Sequence, residues 1–577
     1  VTTVLAFVPI IMMQNITGEF IRGMPVTVVY TLSASLLVAL TLTPYLSSKF
    51  LRHDKQERRK YVHNFLTKFT ETKYRKSLDY ALKHPAIVIF ASTLVFLSSL
   101  ILFMVVGVTF FPKAEKPQFL ININMPEGTS LDRTNEVVEF VESVLKNKSE
   151  IRTWAANIGA GNPRIYYNQI RKNEKSNYAQ ILVVLDTRDL NTFNTMVDTL
   201  RDAFRALPGA KIEIKVLEQG PPIEAPIAIR IIGEELDKIR KISQDVEKII
   251  QTTPGTININ NPLSSSKMDL QVDINRAKAA IFGVPIADID RTVRAAITGI
   301  SVSKYRDSAG KEYDIVIRLP IHKKPTMEDF DKIYINAYNG EAIPLKQLAA
   351  IQFKSSPQLI SHYHLDRNML ITADVKLNVS VNETTQEIIK KLDNYNWPKG
   401  YRYYVGGELE SQEESFGGLQ QAVLIAIIGI FGVLVLQFRS YLQPLIVFSA
   451  LPLAIIGSVY ALLITGHTFS FTAFVGITSL VGIVINNSII LVDYTNQLRA
   501  GGKSIVEALK QAGETRFMPI ILTTGTTVGG LLPLTLQGGT LWAPMGWTII
   551  GGLVVSTFLT LLVVPVLYKI VSRFEVS

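Results

Sequence analysis

Long apolar stretches at both ends of the chain constrain its fold more than any other feature. Seven runs are each long enough for a helix that crosses a bilayer, which requires about 20 consecutive apolar residues. These runs lie at 25–46, 86–108, 419–438, 444–465, 469–492, 519–536 and 545–568. A shorter run at 1–13 is interpreted as the end of a further helix. The pattern predicts a multi-pass α-helical membrane protein.

A basic segment between the first two complete runs predicts the orientation. Residues 49–83 contain eleven Lys or Arg and four Asp or Glu, a net charge of +7 (11 − 4). Basic loops that flank membrane helices stay in the cytoplasm. We therefore expect 49–85 to be a cytoplasmic basic amphipathic segment, 571–577 to be a cytoplasmic tail, and 113–417 to lie on the other side. Topology thus accounts for much of the overall charge of +10, and no nucleic-acid binding is predicted.

The long segment between the two blocks alternates strand and helix patterns. Residues 119–125 alternate apolar and polar side chains, as a strand does, and Val137, Val141 and Val144 then line one helix face. The order of elements over 113–222 is βαββαβ, which predicts a ferredoxin-like unit. A second copy begins at 223–260 and is completed at 359–410. The predicted fold is thus a helical membrane protein with a large α+β domain of two such repeats, interrupted by an insertion at 261–358.

Enzyme chemistry has no support in the sequence. The chain has no cysteine, which excludes disulfides and thiolate metal sites. It also lacks the P-loop, H-E-x-x-H and G-x-S-x-G motifs, so neither ATP use nor hydrolysis is indicated, and no cofactor is predicted. His362 and His364 would share one face of a strand, but no third ligand is near in sequence, and we predict no metal site.

A series of short passages, in one order along the chain, carries a family resemblance. They read FVPI, ALTLTP, GVTFFPKAEKPQF, PEGTSLDRT, PPIEAPIAIRIIG, VDINRAKAAIFGV, GGELESQEESFGGL, VGIVINNSIILVDY and RFMPIILTTGTTVGGLLPL. Together they resemble the resistance-nodulation-division (RND) efflux pumps, closest to the acriflavine-resistance branch of hydrophobe exporters. The chain resembles the C-terminal half, or slightly more, of such a pump. It would begin in the fifth of twelve helices, so that the fourth, which carries an acidic proton-binding pair in the family, would precede it.

The resemblance implies a role for each part of the chain. Residues 1–48 would hold the end of one membrane helix and one complete helix, residues 86–110 another helix, and residues 418–570 five more. Between the two blocks, the first porter subdomain would be 113–222, the second 223–260 with 359–410, and the docking subdomain 261–358. Such pumps are proton-driven antiporters of the Gram-negative inner membrane with a periplasmic domain. They are homotrimers that join a periplasmic adaptor (membrane fusion) protein and an outer-membrane channel, and they export small hydrophobic or amphiphilic compounds, including drugs.

Four polar residues of the membrane helices are candidates for a proton relay. Polar side chains in hydrocarbon are costly unless they face the interior of a bundle. By resemblance, Asn486 occupies the position of a relay lysine, Asn487 the next polar position, Arg516 that of a relay arginine and Thr523 that of a relay threonine. An amide cannot hold a proton as a lysine does, so the family's charge exchange cannot operate unchanged at Asn486. The alternatives are helix–helix hydrogen bonding, an interfacial arginine and a small-residue packing face.

Aromatic residues of the first porter subdomain are candidates for substrate binding. The resemblance places Trp154 on a strand that lines the drug pocket, and Tyr166 and Tyr167 follow in the next loop. That loop has Gly159, Ala160 and Gly161 where family members often carry phenylalanine, which indicates a different pocket. Two alternatives remain open, namely an RND exporter of heavy-metal cations and a non-transporting truncated or scaffold protein.

Overall fold

We analysed a computed structural model of the chain that describes residues 2–50, 67–187, 189–205, 207–264, 266–320, 326–357, 359–377 and 379–574. Residues 51–66 of the predicted basic segment and 575–577 of the predicted tail lie outside the described residues. The helices of the first block are α1 (Thr2–Ile11), α2 (Ile16–Ile21), α3 (Gly23–Leu40), α4 (Leu42–Phe50), α5 (Arg75–Lys83) and α6 (Pro85–Val106). A π-helical turn, Thr70–Tyr74, precedes α5.

Helix α5 is amphipathic and packs along its apolar side. Leu78 and Leu82 are buried, whereas its basic residues are exposed. Two ion pairs join it to residues further along the chain, Arg75 to Glu514 at 3.3 Å and Lys510 to Asp79 at 2.5 Å. The described part of the basic segment therefore has the amphipathic character that its sequence predicts.

The first α+β repeat has the predicted order of elements. It consists of β1 (Gln118–Asn124), α7 (Leu131–Lys146), β2 (Ile151–Ile158), β3 (Tyr178–Leu185), α8 (Leu190–Arg205) and β4 (Lys211–Val216). The strands form an antiparallel sheet in the order β2-β3-β1-β4. Because side chains alternate along a strand, Phe119, Ile121 and Ile123 enter the core, while Asn122 and Asn124 lie on the opposite face.

The inserted segment forms a compact unit of its own, Pro262–Met369. Its elements are β7 (Ser266–Ile274), α9 (Arg276–Ile281), α10 (Ile286–Ile297), β8 (Ile300–Arg306), β9 (Glu312–Ile317), α11 (Met327–Phe330), β10 (Tyr334–Asn336), β11 (Ala342–Pro344), α12 (Leu345–Leu348), β12 (Ala349–Pro357) and β13 (Ser361–Tyr363). Three antiparallel pairs, β7-β12, β8-β9 and β10-β11, surround a core that includes Ile289, Phe330 and Leu345. The predicted insertion, 261–358, falls almost entirely within this unit.

The second α+β repeat repeats the topology of the first. It consists of β5 (Ile227–Ile232), α13 (Leu236–Gln251), β6 (Thr256–Asn260), β14 (Asp366–Val375), α14 (Val381–Asp393) and β15 (Arg402–Gly407), with the helix α13 preceding the insertion in the chain. Its strands follow the order β6-β14-β5-β15. This is the same relative order as in the first repeat, so two similar sheets belong to one part of the chain.

The C-terminal block contains the remaining long helices. They are α15 (Glu408–Phe438), α16 (Leu442–Phe448), α17 (Ala450–Thr465), α18 (Phe471–Ala500), α19 (Ile505–Gln537) and α20 (Gly539–Phe574). Among the described residues, seven helical segments are long and apolar enough to cross a membrane: α3, α6, α15, α16 with α17, α18, α19 and α20. The seven predicted runs are thereby confirmed as apolar helices.

Candidate functional site

Asn486 lies in the middle of α18 and faces α1. Its amide oxygen accepts a hydrogen bond from the Thr2 hydroxyl at 3.4 Å, and its amide nitrogen donates to the Thr3 hydroxyl at 3.3 Å. Thr3 in turn donates to the carbonyl of Gly482 at 3.2 Å. The two Asn486 bonds are longer than is usual, so the amide is held loosely. A stronger partner could replace these threonines.

Gly482, one turn before Asn486, allows this contact. A Cβ atom at this position would lie 2.9 Å from Thr3 Cα and 3.1 Å from Ala6 Cβ. Helices in membranes approach this closely only where small residues leave room. The glycine therefore positions α1 so that Thr2 and Thr3 reach the amide of Asn486.

The two residues after Asn486 turn into the bundle. Asn487 is buried, and so is Ser488. The hydroxyl oxygen of Ser488 has no hydrogen-bond partner among the described residues. An unpaired buried polar group costs about 1–3 kcal/mol. The Ser488 hydroxyl is therefore retained in the bundle at a cost in stability.

Arg516 on α19 contacts the same helix as Asn486 but at another depth. Its guanidinium carbon lies 4.5 Å from the centre of the Tyr494 ring, a cation–π contact. Its Nε is buried and has no hydrogen-bond partner in the described part of the chain. Tyr494 follows Asn486 by eight residues, or about 12 Å along a helix with a 1.5 Å rise. The structure therefore does not bring Arg516 and Asn486 together.

Thr523 takes part in neither contact. Its hydroxyl donates to the carbonyl of Ile520 in its own helix at 2.9 Å, and the side chain is exposed. Its neighbour Thr524 is buried and shares a 2.8 Å hydrogen bond with Thr557 of α20. Of the four relay candidates, Asn487 is buried and Arg516 is half-buried, whereas Asn486, although it bonds to α1, and Thr523 are both exposed.

A second candidate site is a cleft of about 470 Å³ between the sheets of the two α+β repeats. The first repeat contributes Asn122, Asn124 and Gln180, and the second contributes residues from β6 and β14, among them Asn258 and Asp374. Gln180 donates to the Asn122 amide oxygen at 2.8 Å, which also accepts from the Tyr178 hydroxyl at 2.9 Å. The cleft is thus lined mainly by polar side chains. Sequence reasoning missed these residues, although the alternating asparagines of QFLININ indicate a polar strand face.

The aromatic candidates lie at different distances from this cleft. Tyr166 and Tyr167 both donate to the Gln219 side chain, at 2.8 and 3.2 Å, and Gln219 lines the cleft. Trp154 instead lies on the sheet face that packs against α7, where its indole donates to Glu142 at 3.1 Å. A bulge in β2 after Ile151 shifts the pairing register, and this decides which face receives Trp154.

Glu218 lines the cleft, and its backbone pairs with that of Lys113 in an isolated antiparallel bridge. Burial raises the pKa of the Glu218 carboxyl above its usual value, and the nearby positive charges of Lys215 and Lys113 only partly oppose this shift. Burial likewise lowers the pKa of the Lys113 amine. Both shifts favour the neutral forms, which is the expected effect of a poorly hydrated site.

Replacing Glu218 by glutamine is expected to stabilise the protein at pH 8 more than at pH 5. A carboxyl with a raised pKa in the folded state binds its proton more tightly than in the unfolded state, so stability is lost as the pH rises through the folded pKa. Glutamine imitates the neutral form and removes this loss. Thermal unfolding of both proteins at both pH values measures the difference, with Glu174→Gln at an exposed position as the control. Equal shifts at pH 5 and pH 8 would contradict the prediction.

Seven candidate membrane spans, a repeated α+β unit and polar side chains inside the helix bundle together define an integral membrane transporter. The chain belongs to the AcrB/AcrD/AcrF family of RND transporters, whose sequence profile matches residues 1–572. The family resemblance carried by the sequence motifs is thereby confirmed. Members of this family are transporters rather than enzymes.

Relatives and a solved structure extend the comparison. The cobalt-zinc-cadmium resistance protein CzcA of Cupriavidus metallidurans is 25% identical over 588 residues, covering 99% of this chain and 54% of that protein. The multidrug resistance protein MdtC of Serratia proteamaculans is 25% identical over 589 residues, covering 100% of this chain and 56% of that protein. The crystal structure of a heavy metal efflux pump shares the fold, with a TM-score of 0.75 at 20% identity over 99% of this chain and 58% of that one. The chain thus spans little more than half the length of these relatives.

Proposed function

We propose that this chain is the C-terminal part of a proton-motive-force-driven RND exporter, an antiporter of hydrophobic or amphiphilic compounds. One observation carries the proposal: the polar residues Asn486, Asn487 and Ser488 lie together in the middle of an apolar helix, and Asn487 and Ser488 are buried in the bundle. Intramembrane polar groups of this kind are expensive and commonly mark ion or proton pathways. Transport fits this arrangement better than a scaffold role, which gives no reason to retain them.

In this proposal, the exposed subdomains have the same roles as the corresponding subdomains of RND pumps. The two ferredoxin-like repeats act as porter subdomains, 113–222 and 223–260 with 359–410, and the cleft between their sheets receives the substrate. Residues 261–358 act as the docking subdomain toward an outer-membrane channel. The whole protein is a homotrimer in the inner membrane of a Gram-negative bacterium and works with a periplasmic adaptor protein.

The relay chemistry must differ from a lysine-based exchange. The Asn486 amide can donate to a carboxylate but cannot take its proton. In this proposal, Asn486 orients a carboxylate that belongs to the rest of the protein, and Arg516, which contacts α18 about two turns further along, supplies positive charge at a different depth of the membrane. The Nε of Arg516, which is buried and has no hydrogen-bond partner among the described residues, supports this role, because a guanidinium satisfies its donors best against a carboxylate.

Replacing Asn486 by aspartate is expected to shift the pH dependence of transport. The substitution places a titratable carboxyl in the middle of α18, beside the Thr2 and Thr3 hydroxyls, where the amide can neither gain nor lose a proton. Proton-gradient-driven dye efflux from proteoliposomes with the full-length protein, measured from pH 5 to 8, gives the profile. The exposed helix-terminal Asn394→Asp is the control. An unchanged profile for Asn486→Asp would favour simple helix packing.

Export of heavy-metal cations is the second candidate, and the similarity to CzcA favours it. Among the described residues, however, no three His, Cys, Asp or Glu side chains lie close enough together to hold a metal ion. The same proteoliposomes distinguish the two candidates when they are loaded with Zn²⁺ or Co²⁺ instead of dye. Movement of the cation without dye efflux would replace the organic substrate by a metal, and movement of neither would favour the scaffold.

A further inference from the structure

The cleft between the two α+β repeats has an amide-rich lining. We call it the amide cleft and define it by Asn122, Asn124, Gln180, Asn258, Asn260 and Thr372. In both sheets the apolar residues alternate into the cores, as Ile121 and Ile371 do, so the polar alternates are left facing the cleft. Two polar sheet faces therefore line one cavity.

Asn258 shows that this lining is built rather than incidental. Its backbone has a φ of 53°, which is uncommon for a residue other than glycine, and the β6-β14 register shifts at this point. The irregularity lets the Asn258 amide donate to the Asp374 carboxylate at 2.9 Å. Asparagine adopts this left-handed conformation more readily than most residues, and bulges of this kind are over-represented next to functional sites, where they re-aim a side chain.

Two amides of the cleft are available to a ligand. The side chains of Asn124 and Asn260 make no hydrogen bond to any residue that the structure describes, whereas Asn122 and Gln180 bond to each other. Each free amide offers both donors and an acceptor. A ligand with groups of the same dual character would satisfy them.

The charges of the lining nearly cancel. Its cations and anions are Arg171, Lys172, Lys215, Glu213, Glu218, Glu224 and Asp374, a sum of −1 (3 − 4). Two of these charged groups already have a partner in the protein. The Glu213 carboxylate lies 2.9 Å from the Lys211 amine, and the Lys172 amine lies 4.6 Å from the centre of the Tyr178 ring. Burial also lowers the pKa of Lys172 and raises that of Glu218. The cleft therefore offers little net charge to attract an ion.

We propose that the amide cleft binds a neutral headgroup dense in hydroxyl or amide groups, such as the saccharide or peptide portion of an amphiphile. This inference rests on the proposed exporter function and names the class of substrate for it. A purely hydrophobic compound would displace water from the amides without replacing its hydrogen bonds, and sites of this type discriminate strongly against such ligands. The apolar tail of an amphiphile would remain outside the cleft.

The test uses soluble mimics of the two possible headgroups. The full-length protein in lipid nanodiscs is titrated with maltotriose and with N-acetyl-triglycine amide, both neutral, and with the apolar dye N-phenyl-1-naphthylamine, by ligand-observed saturation-transfer NMR. We expect at least one headgroup mimic to bind, and Asn124→Leu and Asn260→Leu each to weaken its binding about 10-fold. Gln352→Leu, which changes an exposed amide of β12 outside the cleft, is the matched control and should have no effect.

The outcomes distinguish the assignment of the headgroup from the proposed exporter function. Binding of maltotriose alone supports a saccharide headgroup, and binding of N-acetyl-triglycine amide alone supports a peptide one. Binding of neither mimic, or equal loss of binding in the Gln352→Leu control, overturns the inference. Efflux of the dye from proteoliposomes is measured in parallel. Dye efflux without headgroup binding refutes only the amide cleft assignment, whereas absence of proton-driven efflux of any solute refutes the exporter function itself.

Discussion

Replacing Arg516 by alanine is expected to abolish export by the full-length protein while the protein still inserts and assembles. The guanidinium packs on the Tyr494 ring and keeps its Nε buried and unpaired within the described residues. If a carboxylate elsewhere in the protein relies on this charge, its loss leaves an uncompensated buried group, at a cost of about 3–5 kcal/mol. That corresponds to roughly a 140- to 4,000-fold loss of activity. Efflux rates in proteoliposomes, with size-exclusion profiles for assembly, measure both parts.

Arg499 provides a matched control for this experiment. It also stacks on a tyrosine, with its guanidinium carbon 5.7 Å from the Tyr568 ring, and it donates to the Tyr568 hydroxyl at 3.0 Å. If Arg516 is only an interfacial arginine, Arg499→Ala and Arg516→Ala will impair export to similar extents. A relay role requires that only Arg516→Ala stop transport and that Arg516→Lys, which keeps the charge but not the fork, restore part of it. Normal efflux by Arg516→Ala would refute the role.

The membrane helices could be predicted from sequence because their signal is local. A run of about 20 apolar residues has few other stable fates, so the seven spans follow from composition and length. The partners of Asn486 could not be predicted in this way. Thr2 and Thr3 are close in space to Asn486 but lie at the far end of the chain, and the close approach depends on Gly482. Periodicity gives no information about such long-range pairs.

The candidate substrate residues show the same limit at the level of single strands. Strand β2 could be predicted, but the face that Trp154 occupies depends on the bulge after Ile151, and one extra residue moves every later side chain to the other face. The amide cleft is the reverse case. The alternation of Asn122 and Asn124 is visible in the sequence, but its meaning depends on a second polar sheet from a repeat more than one hundred residues away. The sequence predicted aromatic residues as the substrate site, whereas amide side chains line the cleft.

Substituting alanine for Gly551 is expected to destabilise the packing of the C-terminal helices. A Cβ atom there would lie 2.4 Å from Ala461 Cβ and 2.5 Å from the Gly457 carbonyl oxygen, and a backbone atom cannot move aside as a flexible side chain can. Relief requires that α17 and α20 separate, at a cost of about 1–3 kcal/mol or more. The measurement is the unfolding temperature of the purified protein in detergent, which should be lower for the variant.

Gly432→Ala on α15 is the control for this substitution, because a Cβ at Gly432 meets no described atom within 4 Å. It should be neutral or stabilising by up to about 1 kcal/mol, since alanine is the better helix former. The Gly551 crossing also adjoins α18: a Cβ at the next residue, Gly552, would lie 2.4 Å from Leu480 Cδ1. A looser crossing should therefore disturb the helix that carries Asn486 and reduce export together with stability. If Gly551→Ala lowers the unfolding temperature no more than Gly432→Ala does, the crossing of α17 and α20 is not held by this contact.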